Sequence, residues 1–167
     1  KSSAAKSDLE SIVDSAAAEY GVDGALARRL VSTESAWDPN AKSSAGAVGL
    51  GQLMEGTAAD LGVTDRSDPA QNARGSMRYF KQLQKRYGGD DAKAAAAYNW
   101  GMGNLDKALT KYGDRWLEAA PAETRAYVTK LSGEPARATP AATAGSAPAP
   151  AGFGENDLTR GLKSASY

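Results

Sequence analysis

Leu30-Val31-Ser32-Thr33-Glu34-Ser35-Ala36-Trp37 is the stretch that decides how this chain folds. With the residues that follow Asp23, it places Leu26, Ala27, Leu30 and Val31 on one apolar stripe at helical spacing. Glu34 comes one turn after Leu30 and Val31, so it continues the stripe instead of facing water. A carboxylate on an apolar face is unfavourable unless it is paired, hydrogen-bonded or protonated. Burial raises the pKa of such a group, and the negative end of its own helix acts in the same direction. The expectation is a carboxylic acid that can donate a proton near neutral pH. A partly exposed glutamate at a frayed helix end is the plain alternative, and the helix alone does not separate the two.

The flanking segments also read as helices. Ser7-Asp8-Leu9-Glu10 has the pattern of a capping box, followed by Leu9, Ile12, Val13, Ala16 and Tyr20 at helical spacing and by Gly21 as a stop. Asp23 is the expected cap of the Glu34 helix, which Asp38-Pro39-Asn40 breaks. A glycine-rich loop passes through Gly46, Gly49 and Gly51. Further helices are expected from Thr57 to Gly62, from Asn72 to Gly88, from Asp90 or Asp91 to Asn99, from about Asn104 to Lys111, and from near Pro121 through Tyr127, Val128 and Leu131. No alternating strand pattern of useful length occurs, so the fold class expected is all-α.

Composition narrows the chemistry. The 167 residues allow one ordinary domain and an appendage, and the 41% hydrophobic content, rich in alanine, suits closely packed helices. Lysine plus arginine and aspartate plus glutamate number 20 each, which is not the basic footprint of a nucleic-acid binder. The chain has no cysteine and no histidine, which removes disulfides, cysteine nucleophiles, Ser-His hydrolases and most zinc chemistry. Acid–base work must fall to carboxylates, tyrosines or lysines, with no metal and no cofactor expected. No apolar run is long enough for a membrane span, and Lys1-Ser2-Ser3-Ala4 does not read as a signal peptide.

Composition changes after Gly133. Residues 1–133 read as the folded domain, and 134–152, almost all Ala, Pro, Thr, Gly and Ser, as a linker. Residues 153–167 form a short tail with larger apolar groups at Phe153, Leu158, Leu162 and Tyr167. It reads either as a disordered terminus or as a segment that docks on a protein partner in a larger assembly.

Four ordered segments carry a resemblance: Glu34-Ser35-Ala36-Trp37-Asp38-Pro39, Gly46-Ala47-Val48-Gly49-Leu50-Gly51-Gln52-Leu53-Met54, Ala97-Tyr98-Asn99-Trp100-Gly101, and Pro121-Ala122-Glu123-Thr124-Arg125-Ala126-Tyr127-Val128. With Asp68-Pro69, Asn72 and Gly75 they resemble the catalytic domain of soluble lytic transglycosylases, a family related to goose-type lysozyme, over about residues 8 to 132. The resemblance implies a lysozyme-like helical fold with a saccharide-binding groove. It implies that Glu34 is the single catalytic acid and base. Ser35, Ser43, Gln52, Met54, Tyr98, Asn99 and Tyr127 are the substrate-binding positions it implies, with peptidoglycan glycan strands as the partner.

Each of these residues also has a plainer reading. Taken alone, Met54 and Tyr127 read equally as core, Gln52 as a surface loop residue and Asn99 as a helix C-cap. Trp37 reads as packing rather than ligand contact. Glycines near Gly49 are expected to let backbone approach the sugar closely. Two departures stand out. Gly51 replaces the methionine of the family's Gly-Leu-Met-Gln, and Glu55 replaces a proline. Gly51 is expected to remove bulk beside the groove and loosen the loop.

The implied reaction cleaves the β-1,4 bond between N-acetylmuramic acid and N-acetylglucosamine and leaves a 1,6-anhydro ring. Most glycosidases need two carboxylates, whereas this reaction can run on one. A hydrolysing lysozyme would need a second, for which Asp38, Glu55 and Asp60 are the candidates near the motifs. A glycan-binding or assembly module without catalysis is the reading from another class. The expected location is the bacterial envelope, reached by export or by delivery from a phage particle or secretion machine.

Overall fold

In a computed structural model that describes residues 2–133, helix α1, Ser2–Tyr20, precedes helix α2, Gly24–Ser35. The Asp23 carboxylate accepts the backbone N–H of Leu26 at 2.8 Å and starts α2 as the sequence predicts. Leu26, Ala27, Leu30 and Val31 are buried along one side, and Glu34 continues that side. The helix does not run on to Pro39. Ala36 and Trp37 take φ values of 50° and 68°, two successive left-handed residues that turn the chain off sharply after Ser35. A left-handed non-glycine residue costs roughly 1 kcal/mol or more, so the packing of the helix end must hold it.

The chain continues through α3, Glu55–Asp60, α4, Pro69–Arg86, α5, Asp91–Trp100, and α6, Met102–Tyr112. A 3-10 turn at Gly113–Arg115 leads into α7, Trp116–Ala119, and then α8, Ala122–Ser132. Among the described residues the only β pairing is two isolated bridges, Lys42 with Val48 and Val48 with Leu53. The all-helical expectation is borne out. The linker and the tail with Phe153, Leu158 and Leu162 lie outside the described residues.

Helix α5 packs against α4, α6 and α8, and its run Ala94, Ala95, Ala96 and Ala97 is wholly buried. Methyl side chains let three helices approach one axis while remaining good helix formers. Helix α1 lies against α2 and α4, and α2 meets α8. At that last contact Arg29 Nε donates to the Leu131 carbonyl at 2.8 Å, which places a cation on the final turn of α8.

Helix starts are where the sequence reading needs correction. Helix α1 begins at Ser2, so Ser7 and Glu10 lie inside it and form no capping box. The reason is local, since Ala4, Ala5 and Lys6 favour helix and extend it backward. Helix α3 starts at Glu55 and not at Thr57, which is buried. Helix α4 starts at Pro69, with the Asp68 carboxylate accepting the Gln71 N–H at 2.7 Å, three residues before the Asn72 start expected. Of the two residues expected to cap α5, Asp90 is the one that does. The turn and helix of residues 113–119, which bury Trp116, are too short to show periodicity.

Candidate active site

Glu34 sits in the last turn of α2 with 3% of its surface exposed. That excludes the frayed, half-exposed alternative. Its carboxyl is bonded across the α2–α8 contact, where Tyr127 Oη donates to Oε1 at 2.6 Å. Burial, and then the Glu34 charge, push the Tyr127 hydroxyl well above the ordinary tyrosine value of 10.0. Tyr127 therefore keeps its proton and acts as a fixed donor.

Tyr127 comes from the buried face of α8, which also carries Thr124, Val128 and Leu131. Thr124, three residues earlier on that face, donates through Oγ1 to Asn99 Oδ1 at 2.9 Å. Asn99 is thus inside α5 and cross-linked to α8, not a C-cap, a position that Gly101 takes. Its neighbour Tyr98 is 2% exposed and donates to the Gly51 carbonyl at 2.7 Å. Burial first, then the Glu34 charge, raise the Tyr98 hydroxyl well above its usual range. One carboxyl therefore acts on two tyrosine hydroxyls from different helices.

The loop between α2 and α3 carries Ser43, Gln52 and Met54 and meets the site at Gly51, whose carbonyl accepts from Tyr98. Gln52 is 2% exposed, with a left-handed φ of 52°, so it is not a surface residue. Its Nε2 donates to the carbonyls of Ala41 at 3.1 Å and Gly49 at 2.9 Å, and its Oε1 is buried without a partner among the described residues. Ser43 and Met54 are half-buried, and Ser43 Oγ accepts the Ala47 N–H at 3.0 Å. Ser35 is buried and donates back to the Val31 carbonyl at 3.1 Å. Trp37 packs against the core, half-buried, as expected.

Packing accounts for two of the glycines and overturns the expectation for Gly51. At Gly49, φ 84°, the space a Cβ would need is held by the Asn72 amide and the Arg66 carbonyl, so protein packing by itself requires glycine there. At Gly51 a Cβ would run into Ser76 Oγ, lie 2.6 Å from Ser76 Cβ and 2.9 Å from Tyr98 Oη. The backbone of Gly51 is gripped from two sides, its N–H donating to Asn72 Oδ1 at 2.8 Å and its carbonyl accepting from Tyr98. Gly51 does not loosen the loop; it lets the loop seat against α4 and α5.

Asp38, Glu55 and Asp60 are all exposed, and Glu34 is the one buried carboxylate among the described residues. No group of three or more acidic residues able to hold a metal ion occurs among the described residues. Sequence reasoning missed Arg66 and gave Thr124 and Asn72, though both stand in the matching motifs, no role of their own. Thr124 was within reach, because it precedes Tyr127 by one turn. Arg66, a lone cation in a polar turn, offers no such signal.

An all-helical domain built around one buried carboxyl, with a tyrosine donor behind it and a rigid polar loop beside it, is the class of protein these features define. The chain belongs to the Transglycosylase SLT domain family, whose model matches residues 11–119. It is 43% identical over 101 residues to membrane-bound lytic murein transglycosylase F 1 of Alkalilimnicola ehrlichii, covering 57% of this chain and 20% of that protein. It is 42% identical over 89 residues to the transglycosylase of Enterobacteria phage PRD1, covering 53% of this chain and 33% of that one. The structure of an inactive Glu-to-Gln mutant of lytic transglycosylase Slt from Pseudomonas aeruginosa superimposes with a TM-score of 0.64 at 28% identity, over 72% of this chain and 22% of that one. The chain thus spans a third or less of the length of these relatives. Tyr127 and the rest of α8 lie beyond the segment that the family model matches.

Proposed function

We propose that this domain is a peptidoglycan lytic transglycosylase that cleaves the β-1,4 bond between N-acetylmuramic acid and N-acetylglucosamine with Glu34 as its only catalytic carboxyl. The observation that carries this reading is the isolation of Glu34, buried and bonded to Tyr127 while Asp38, Glu55 and Asp60 stand in solvent. Glu34 gives its proton to the glycosidic oxygen as the bond from C1 to that oxygen breaks. The acetamido group of the same sugar stabilises the cation that develops at C1. The Glu34 carboxylate then takes the proton of the C6 hydroxyl, and that oxygen bonds to C1 to close the anhydro ring. Protons and electrons balance without water, so the second carboxylate of a hydrolase has no task. Ser43 and Met54 contact the sugars from the loop, Gln52 braces that loop from within, and Ser35, Tyr98, Asn99 and Tyr127 form the wall behind the acid. The substrate places the work in the bacterial envelope, where its transglycosylase relatives act on murein by name.

Mass spectrometry of sacculi digested by the full chain tests the reaction. Anhydro-muramyl ends are expected, and reducing ends in their place would make the protein a hydrolase. Glu55→Ala is the matching control. Exposed at the first turn of α3, Glu55 should be replaceable with less than about a threefold change in muropeptide release, whereas a true second carboxylate would cost roughly a hundredfold or more. Tyr127→Phe should keep the fold but lower release about tenfold to a hundredfold, because the carboxyl loses the donor that orients it. Initial release rates set against melting temperature separate that effect from simple destabilisation.

A further inference from the structure

Two of the proposed sugar contacts, Ser43 and Met54, ride on one loop, and side chains outside it help to fix that loop. The loop is partly self-bonded. Val48 and Leu53 exchange backbone hydrogen bonds at 3.1 and 3.0 Å, and the Ser43 N–H donates to the Ala47 carbonyl at 3.0 Å. Its two limbs are anchored unequally. Leu53 and Ala47 are buried, but the tip formed by Ser44, Ala45 and Gly46 is exposed, and a Cβ on Gly46 would find nothing within 4 Å. That tip is held from outside the loop by Arg66, whose Nη1 donates to the Gly46 carbonyl at 2.9 Å and to the Leu53 carbonyl at 3.1 Å. Arg66 makes no ion pair with the acidic residues described, so its charged donors are directed at these carbonyls. Its own backbone is fixed in turn, since Asn72 Nδ2 donates at 2.8 Å both to the Arg66 carbonyl and to the Val48 carbonyl.

We propose that Arg66 is a positioning residue for substrate: it bridges Gly46 to Leu53, ties the exposed tip to the core-anchored limb, and through the Gly46 N–H to Ser43 carbonyl bond steadies where Ser43 stands. It touches no sugar. The inference rests on the reading of this loop as a saccharide contact. Glu34 and Tyr127 belong to other elements, α2 and α8, so loss of Arg66 affects binding of the glycan and not proton transfer. Displacement of a positioning group by about 1 Å is worth up to roughly a hundredfold, and a limb still anchored at one end should lose less.

The experiment is a double-mutant cycle in the full chain, with Arg66→Ala, Ser43→Ala and the pair, read on initial muropeptide release against concentration of purified sacculi. Arg66 is half-exposed and its removal opens no core cavity, so melting temperature should change little. Arg66→Ala should raise KM about tenfold with kcat within about threefold, and adding Ser43→Ala should raise KM little further, because both changes remove one interaction. Fully additive effects would overturn the proposal, as would a KM unchanged by Arg66→Ala when Ser43→Ala raises it. If neither single change moves KM, the loop is not a saccharide contact, and the site reading falls together with the inference.

Discussion

Glu34→Gln should abolish peptidoglycan cleavage, by about 10²- to 10⁴-fold, while the protein folds and pellets with sacculi as before. The amide has the shape of the acid and can still accept the Tyr127 hydroxyl at the position where Oε1 accepts it at 2.6 Å. It also relieves the burial of an ionisable group, so melting temperature should stay level or rise. What it lacks is a transferable proton and, afterwards, a carboxylate to receive one from the C6 hydroxyl. Muropeptide release from purified sacculi is the measurement. A variant that retains more than roughly a few per cent of the wild-type rate would show that Glu34 is not the acid.

Gly51→Met, which restores the residue usual in the family, should destabilise this protein severely. Restoring a family consensus residue commonly stabilises. Here the site offers no volume. The new Cβ would overlap Ser76 Oγ and crowd Tyr98 Oη at 2.9 Å, and both oxygens belong to buried side chains. Relief requires lifting Gly51 away from Asn72 and Tyr98, which breaks two buried hydrogen bonds of 2.8 and 2.7 Å. Overpacking and orphaned polar groups together should cost at least about 3 kcal/mol, or a fall in melting temperature of roughly 10 °C. Adding Ser76→Gly should recover part of the loss by clearing the first clash. A Gly51→Met protein that melts within about 2 °C of the parent would mean that the loop reseats freely.

These two residues mark where the sequence is legible. Glu34 can be read because its evidence is local: a stripe of Leu26, Ala27, Leu30 and Val31 at helical spacing fixes its side, and burial follows from the side. The same holds for the cap at Asp23 and for the alanine run of α5. Gly51 misleads because its meaning depends on Ser76 and Tyr98, 25 and 47 residues further on, and only packing brings them to it. Arg66 is opaque for the same reason, and Asn72 more so, since an asparagine in the first turn of a helix reads as surface until its four hydrogen bonds inside the protein are traced. Local periodicity locates the acid. Tertiary contacts locate what steadies it.

Helix α8 has a consequence for where this domain ends. Its face of Thr124, Tyr127, Val128 and Leu131 closes over α5 and α2, and Arg29 fastens its last turn. A fragment trimmed at residue 119, where the family match stops, would keep Glu34 but strip away its hydroxyl partner and leave the alanine wall of α5 open to water. The stretch that the family model matches is therefore shorter than the stretch that encloses Glu34. Any transplant of this module into another protein has to take its boundary from Arg29 and Leu131, beyond the last shared motif.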